Sequence, residues 1–237
     1  GTKFSFQNDY SEIRFNDCVN KIYDGNDVII SKNKDGLIDN MYSQSDGGSI
    51  IGRSLLEVLA NSENIYIISF EKDIKGNSNF TPESISDGMG GKITVRESGY
   101  GQDELMARMI HELVHGYTYG MGYDNLVSIS YQKTDIGLNN NNFPNIRLKY
   151  AEATAVAVET LFRKQMGIAE RDPNEGIISI NNGYGFFPQS PNSFPAGENN
   201  PYYGYYQIKE NSRLTLRNTT MIAADILLNA QAIRRGR

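Results

Sequence analysis

At 237 residues the chain holds one large domain or two small ones, and its 39% hydrophobic, 22% charged composition is that of an ordinary globular protein with a sizeable core. A net charge of −5 counts against nucleic acid as a partner, and no apolar run is long enough to span a bilayer. The single cysteine, Cys18, excludes an intrachain disulfide framework and a cysteine-rich zinc site, and as a nucleophile it would have to borrow one of the chain's two histidines.

The chain opens Gly1-Thr2-Lys3 with no apolar signal region, which reads as a processed product or an expressed piece. Residues 18–42 alternate short apolar runs with the turn signals Asp24-Gly25-Asn26-Asp27 and Asn33-Lys34-Asp35-Gly36, a pattern of small β-hairpin elements. Ser31, Asn33, Asp35 and Gly36 imitate a calcium loop, but the twelfth position falls on Tyr42 instead of a bidentate Glu, so a plain turn is expected. Ile50, Ile51, Leu55, Leu56, Val58 and Leu59 give Gly48 to Ala60 a helical period. Ile65 to Phe70 is almost continuously apolar and reads as a central strand. Lys75 to Gly91, polar and rich in Gly, Ser and Asn, reads as a loop.

Lys92 to Arg96 alternates as a strand with one wet face. Asp103 or Gln102 then caps a helix through Leu105, Met109, Ile110, Leu113 and Val114 to about Tyr117. Gly120 to Asn145 is a second loop, and a third helix runs from about Arg147 to Met166. Residues 181–206, rich in Pro, Gly and aromatics, read as a surface loop system, and Thr219 to Arg235 as a closing amphipathic helix whose Arg234, Arg235, Arg237 tail is a solvated end. The order of elements implies one compact α+β unit, 1–237, with two lobes of about 1–120 and about 121–237.

Both histidines fall in His111-Glu112-Leu113-Val114-His115. Four apart on a helix they share one face and can reach a single ion, with Glu112 beside them. Two neutral imidazoles holding Zn²⁺, with a Glu as general base on the attacking water, is the chemistry such spacing serves. A catalytic zinc wants a third protein ligand, and with no third histidine that ligand is a carboxylate or, less readily, a tyrosine. Met121 and Thr118 stand where the compact Gly-turn class of zinc protease needs a ligand and a glycine, which excludes that class. Asp124 and Asp135 are possible donors. Glu152 is preferred: it is a lone acid among Ala151, Ala153, Ala155 and Ala157, small residues that let its helix approach another closely. Glu159 is the main rival, seven residues on and thus near the same face, although Arg163 at i+4 offers it an ordinary salt bridge.

A His-Glu-x-x-His helix followed by a distant helical Glu resembles the gluzincin proteases, among them the botulinum neurotoxin light chains. More narrowly, residues 45–172 look like the small bacterial type III effector metalloproteases that cleave host MAP kinases. The likeness rests on His111 to Tyr117, Glu152 through Ala155-Val156 to Val158-Glu159, Arg163, the segment Gly167 to Arg171, and the Gly52…Leu55-Leu56 helix before the Ile65–Phe70 strand. Thr160 departs from the Asn usual after the second Glu, which leaves subfamily and substrate open. The resemblance implies a zincin-like fold: a twisted mixed sheet, an active-site helix beneath it and a second, mostly helical lobe. It also implies zinc on His111, His115 and Glu152, Glu112 as catalytic base, and a product secreted or injected into a target cell. The partner would be a protein or peptide substrate, with a host signalling protein as one candidate.

A second oxyanion donor is then needed beside the metal, and Tyr150, Arg163, Arg171 and the tyrosines of 202–206 are eligible. The Ile93–Arg96 strand is a candidate edge for pairing with an extended substrate. Two other readings compete: a zinc amidase or peptidase acting on short peptides, and a non-enzymatic protein- or carbohydrate-binding module built on residues 181–206 with a vestigial zinc site.

Overall fold

The computed structural model describes residues 3–25, 28–44, 47–72, 77–84, 88–121, 128–130, 147–169 and 213–236; within these, the side chains of 128–130, 147–154, 156–157 and 213–221 are outside the description. The candidate loop 181–206, Arg171, Arg237, Asp124 and Asp135 lie outside the described residues.

A mixed six-stranded sheet forms the centre, built from β1 (Lys3–Phe6), β2 (Val28–Lys32), β3 (Ile38–Ser43), β4 (Ile65–Glu71), β5 (Asn79–Pro82) and β6 (Met89–Arg96) in the order β2-β3-β1-β4-β6-β5. β4 runs parallel to both β1 and β6, so its apolar run is central, as its composition demands. The hairpin β2–β3 turns at Asn33, whose side chain accepts from the backbone of Asp35 and Leu37, an Asx turn with no calcium geometry. A short two-stranded ladder joins β7 (Ser128–Ser130) to β8 (Arg147–Lys149).

Five helices are described: α1 (Asp9–Ile22), α2 (Ile50–Ala60), α3 (Gln102–Gly120), α4 (Tyr150–Met166) and α5 (Arg213–Arg235). α1 starts at Asn8, whose side chain accepts from Ser11 N, and buries Ser11, Phe15, Cys18, Val19 and Ile22, one face at helical spacing. α2 starts at Ser49, which accepts from Gly52 N while its hydroxyl donates to Gln165 of α4. Every residue of α2 after Ile50 is buried, so this helix is the hub on which α3, α4 and α5 pack. One sheet face carries the core: Phe4 and Tyr66 are register partners, and Phe15 of α1 and Gly116 of α3 both meet that face.

Five sequence expectations need correction. The stretch 75–91 contains a strand, because Asn79–Pro82 pairs antiparallel with β6 and closes the sheet. β6 is therefore internal, not the edge proposed for Ile93–Arg96. α3 is capped by Gly101 with no side-chain hydrogen bond, so neither Gln102 nor Asp103 caps it, and α4 begins at Tyr150 because Arg147–Lys149 is drawn into β8. Arg234 is not merely solvated: its Nε donates to the buried Glu57 at 2.7 Å, tying α5 to α2.

Candidate metal and hydrolytic site

α3 lies against β6 and β5 on one side and α4 on the other. Its face towards α4 carries residues 104, 108, 111 and 115, three to four residues apart, so one stripe presents Glu104, Arg108, His111 and His115. Arg163 meets Glu104, and Glu159 meets His111, so rising numbers on α3 pair with falling numbers on α4: the two helices are antiparallel. Position 152, seven residues before Glu159, is displaced about 10 Å along α4 towards the His115 end of α3, at 1.5 Å per residue.

The two imidazoles converge. His111 Nε2 and His115 Nε2 lie 3.2 Å apart, with the rings edge to face at 72°. Two nitrogens on one tetrahedral zinc stand about 3.3–3.4 Å apart when each bond is about 2.0–2.1 Å. The separation fits a shared ion with almost no rearrangement. Without one, the same spacing is a hydrogen bond in which His115 Nε2–H donates to His111 Nε2. Taking up a divalent ion would then displace that proton, as imidazole ligation requires.

The far side of His111 sets its tautomer. Nδ1 is 2.9 Å from Glu159 Oε2, and Glu159 is 1% exposed. A carboxylate can only accept there, so Nδ1 carries the hydrogen, and in the neutral ring Nε2, turned towards His115, is the acceptor. Glu159's other oxygen accepts from Arg163 Nε at 2.8 Å. Arg163, 3% exposed, spends its remaining nitrogens on Glu104 Oε2 at 2.6 Å and on the carbonyl of Ala169 at 2.9 Å. Burial alone would push that guanidinium down, but the Glu159 and Glu104 carboxylates hold it above its ordinary value. Arg108 pairs with Glu104 and lies 3.6 Å over the Tyr100 ring, ending the ladder near the surface.

These contacts sort the sequence candidates. Glu159 keeps its salt bridge with Arg163 and meets His111 at Nδ1, the nitrogen away from His115. Arg163 is committed behind the site and is not an oxyanion donor. Glu112 is buried at 6% exposure, one residue along from His111. Glu152 stands on α4, its side chain outside the described residues, as is that of Tyr150. Among the described residues no group of three or more His, Cys, Asp or Glu converges as a metal site. Cys18 is buried, and burial pushes its thiol up to about 12, which removes it as a nucleophile.

Glu104 and Arg108 were not legible as site residues, although their spacing back from His111 along α3 was the available signal. Comparison with protein families, with curated proteins and with solved structures finds no match.

Proposed function

We propose that this chain is a zinc-dependent endopeptidase of bacterial effector or toxin type, of zincin-like fold, that hydrolyses a peptide bond in a target protein. One observation carries the reading: the two Nε2 atoms 3.2 Å apart on α3, one of them held bare by a buried carboxylate on its opposite nitrogen. His111 and His115 would hold the ion, with Glu152 as third ligand; the antiparallel run of α3 and α4, which sets position 152 towards the His115 end, supports that choice over Glu159. Zinc held there would supply Lewis acidity to the scissile carbonyl and lower the pKa of the attacking water.

Glu112 takes the proton from that water on a side-chain oxygen and returns it to the leaving nitrogen. Its burial removes competing solvent from the carboxylate. Glu159 holds the hydrogen of His111 on Nδ1 and fixes the plane of the ring. An extended substrate would pair with β5, which closes the sheet and is pinned to the zinc helix by Phe80 stacked on Tyr119 and by Tyr119 Oη donating to the carbonyl of Glu83 at 2.8 Å.

The test has two readings on one preparation. Elemental analysis is expected to give one zinc per chain, lost in Glu152→Ala and retained in Glu112→Gln. Labelling of new N-termini in a host-cell lysate is expected to show cleavage by the wild type and none by Glu112→Gln. Wild-type protein that takes up no zinc, or cleavage indifferent to Glu112, would overturn the proposal.

A further inference from the structure

A charge ladder, buried at Arg163 and Glu159 and part-exposed at Glu104, runs behind the histidines and ends on His111 Nδ1. Such a ladder is costly to build, because burying ions loses their hydration and the helices could have met through apolar side chains instead. Apolar residues on the same helices, Ala155, Val158 and Phe162 on α4 and Ile110 and Val114 on α3, are fully buried. The ions line the seam that leads to His111.

Resting on the zinc reading above, we propose that Arg163 and Glu104 are positioning residues for metal capture, acting on His111 only through Glu159. The guanidinium fork is the part that matters. Its Nε grips Glu159 Oε1, one terminal nitrogen grips Glu104 across the helix seam, and the other closes on the Ala169 carbonyl beyond the end of α4. Three fixed partners leave the guanidinium one orientation, and that orientation fixes Glu159 Oε2 on Nδ1. Lysine, a point charge on a flexible stem, cannot reproduce three directions at once. The ladder thus sets which tautomer His111 adopts before any ion arrives, so only His115 would have a hydrogen to give up from Nε2.

The test is a double-mutant cycle read as zinc affinity, by competition with a chromophoric chelator on the full-length chain. Arg163→Met is expected to weaken zinc binding about tenfold or more, the range typical of residues that orient a ligating histidine. In a Glu159→Gln background the same change is expected to cost less than about twofold, because the route to His111 is already cut. Glu104→Gln, a half-exposed isosteric change that spares the fold, is expected to weaken binding about threefold or more in the wild-type background and not at all beside Glu159→Gln. Equal losses in both backgrounds, or no loss, would overturn the proposal.

A second readout needs no metal. The chain has two histidines, so long-range ¹⁵N–¹H correlation of the apo protein at alkaline pH reports both tautomers without crowding. Wild type is expected to show His111 with the hydrogen on Nδ1; Arg163→Met and Glu104→Gln are expected to show a shift towards Nε2–H. An unchanged tautomer would overturn the positioning role. A shifted tautomer in a protein that never binds zinc would overturn the metalloprotease reading and metal capture with it, leaving only the ladder's hold on the His111 tautomer.

Discussion

Gly90→Ala would disturb the seat of α3 on the sheet, and the structure gives its size. β6 carries one extra residue against β4 where Ile65 pairs with Met89 but Tyr66 pairs with Gly91, and Gly90 is that bulged residue. A Cβ at Gly90 would fall 2.6 Å from Cζ and 2.8 Å from Cδ1 of Tyr66. Ordinary carbon contacts are about 3.5–4.0 Å, so the ring would have to move by about 1 Å. It has nowhere to go. Tyr66 is 1% exposed, its hydroxyl donates to the carbonyl of Gly116 at 3.0 Å, and Cβ positions at Gly116 and Gly120 lie 3.1 Å and 2.7 Å from it, so three glycines form the slot for this ring.

Overpacking costs about 1–3 kcal/mol, and losing the hydroxyl bond about 1 kcal/mol more. The stiffer unfolded chain returns about 0.5–1 kcal/mol, leaving a net loss of about 1–3.5 kcal/mol. For a chain of this size that lowers the thermal midpoint by about 2–14 °C. Thermal and urea unfolding followed by circular dichroism would measure it. In a Tyr66→Leu background, which removes the ring, Gly90→Ala is expected to cost less than about 1 kcal/mol. A single variant that melts within about 1 °C of wild type, or equal costs in both backgrounds, would refute the slot.

Removing Arg234 as Arg234→Ala deprives the buried carboxylate of Glu57 of its 2.7 Å partner; because Arg234 is partly solvated the expected loss is about 1–2 kcal/mol by urea unfolding, and a change below about 0.3 kcal/mol would refute the link. Cys18 should resist alkylation in the native protein at mildly alkaline pH and react only on unfolding, and a stoichiometric native reaction would contradict its burial. Its thiol is raised from 9.0 to about 12, so the stability it contributes is complete below pH 9 and lost as pH rises towards 12; Cys18→Ala is expected to flatten that part of the stability–pH curve. On the proposed zinc site, saturating zinc at about 100 times its dissociation constant should add about 2.7 kcal/mol, or about 5–10 °C, and do the same for Glu112→Gln, with Glu112 as base and not as ligand. A thermal shift lost in Glu112→Gln would reassign that residue.

The parts of the site that the sequence made legible are those that depend on one helix. His111 and His115 converge because four residues turn an α-helix once, whatever surrounds it, and Glu112 follows from the same geometry. Glu159 could not be assigned that way. As a rival ligand or as an orienting carboxylate it has the same spacing from Glu152 and the same Arg163 at i+4; only the antiparallel register of α3 and α4 sets it at Nδ1 instead of Nε2. The strands divide likewise. Ile65 to Phe70 announces itself by an apolar run buried between two neighbours, whereas Asn79-Phe80-Thr81-Pro82 has no strand pattern and becomes one by pairing with β6. α1 is a different case, because Ser11, Phe15, Cys18, Val19 and Ile22 do repeat at helical spacing behind an Asn8 cap, and the turn signals after residue 23 obscured it. What local chemistry fixes, a sequence declares; what two elements fix jointly waits on their register. The candidate site straddles that line, with its donor nitrogens on one side and the carboxylate that aims them on the other.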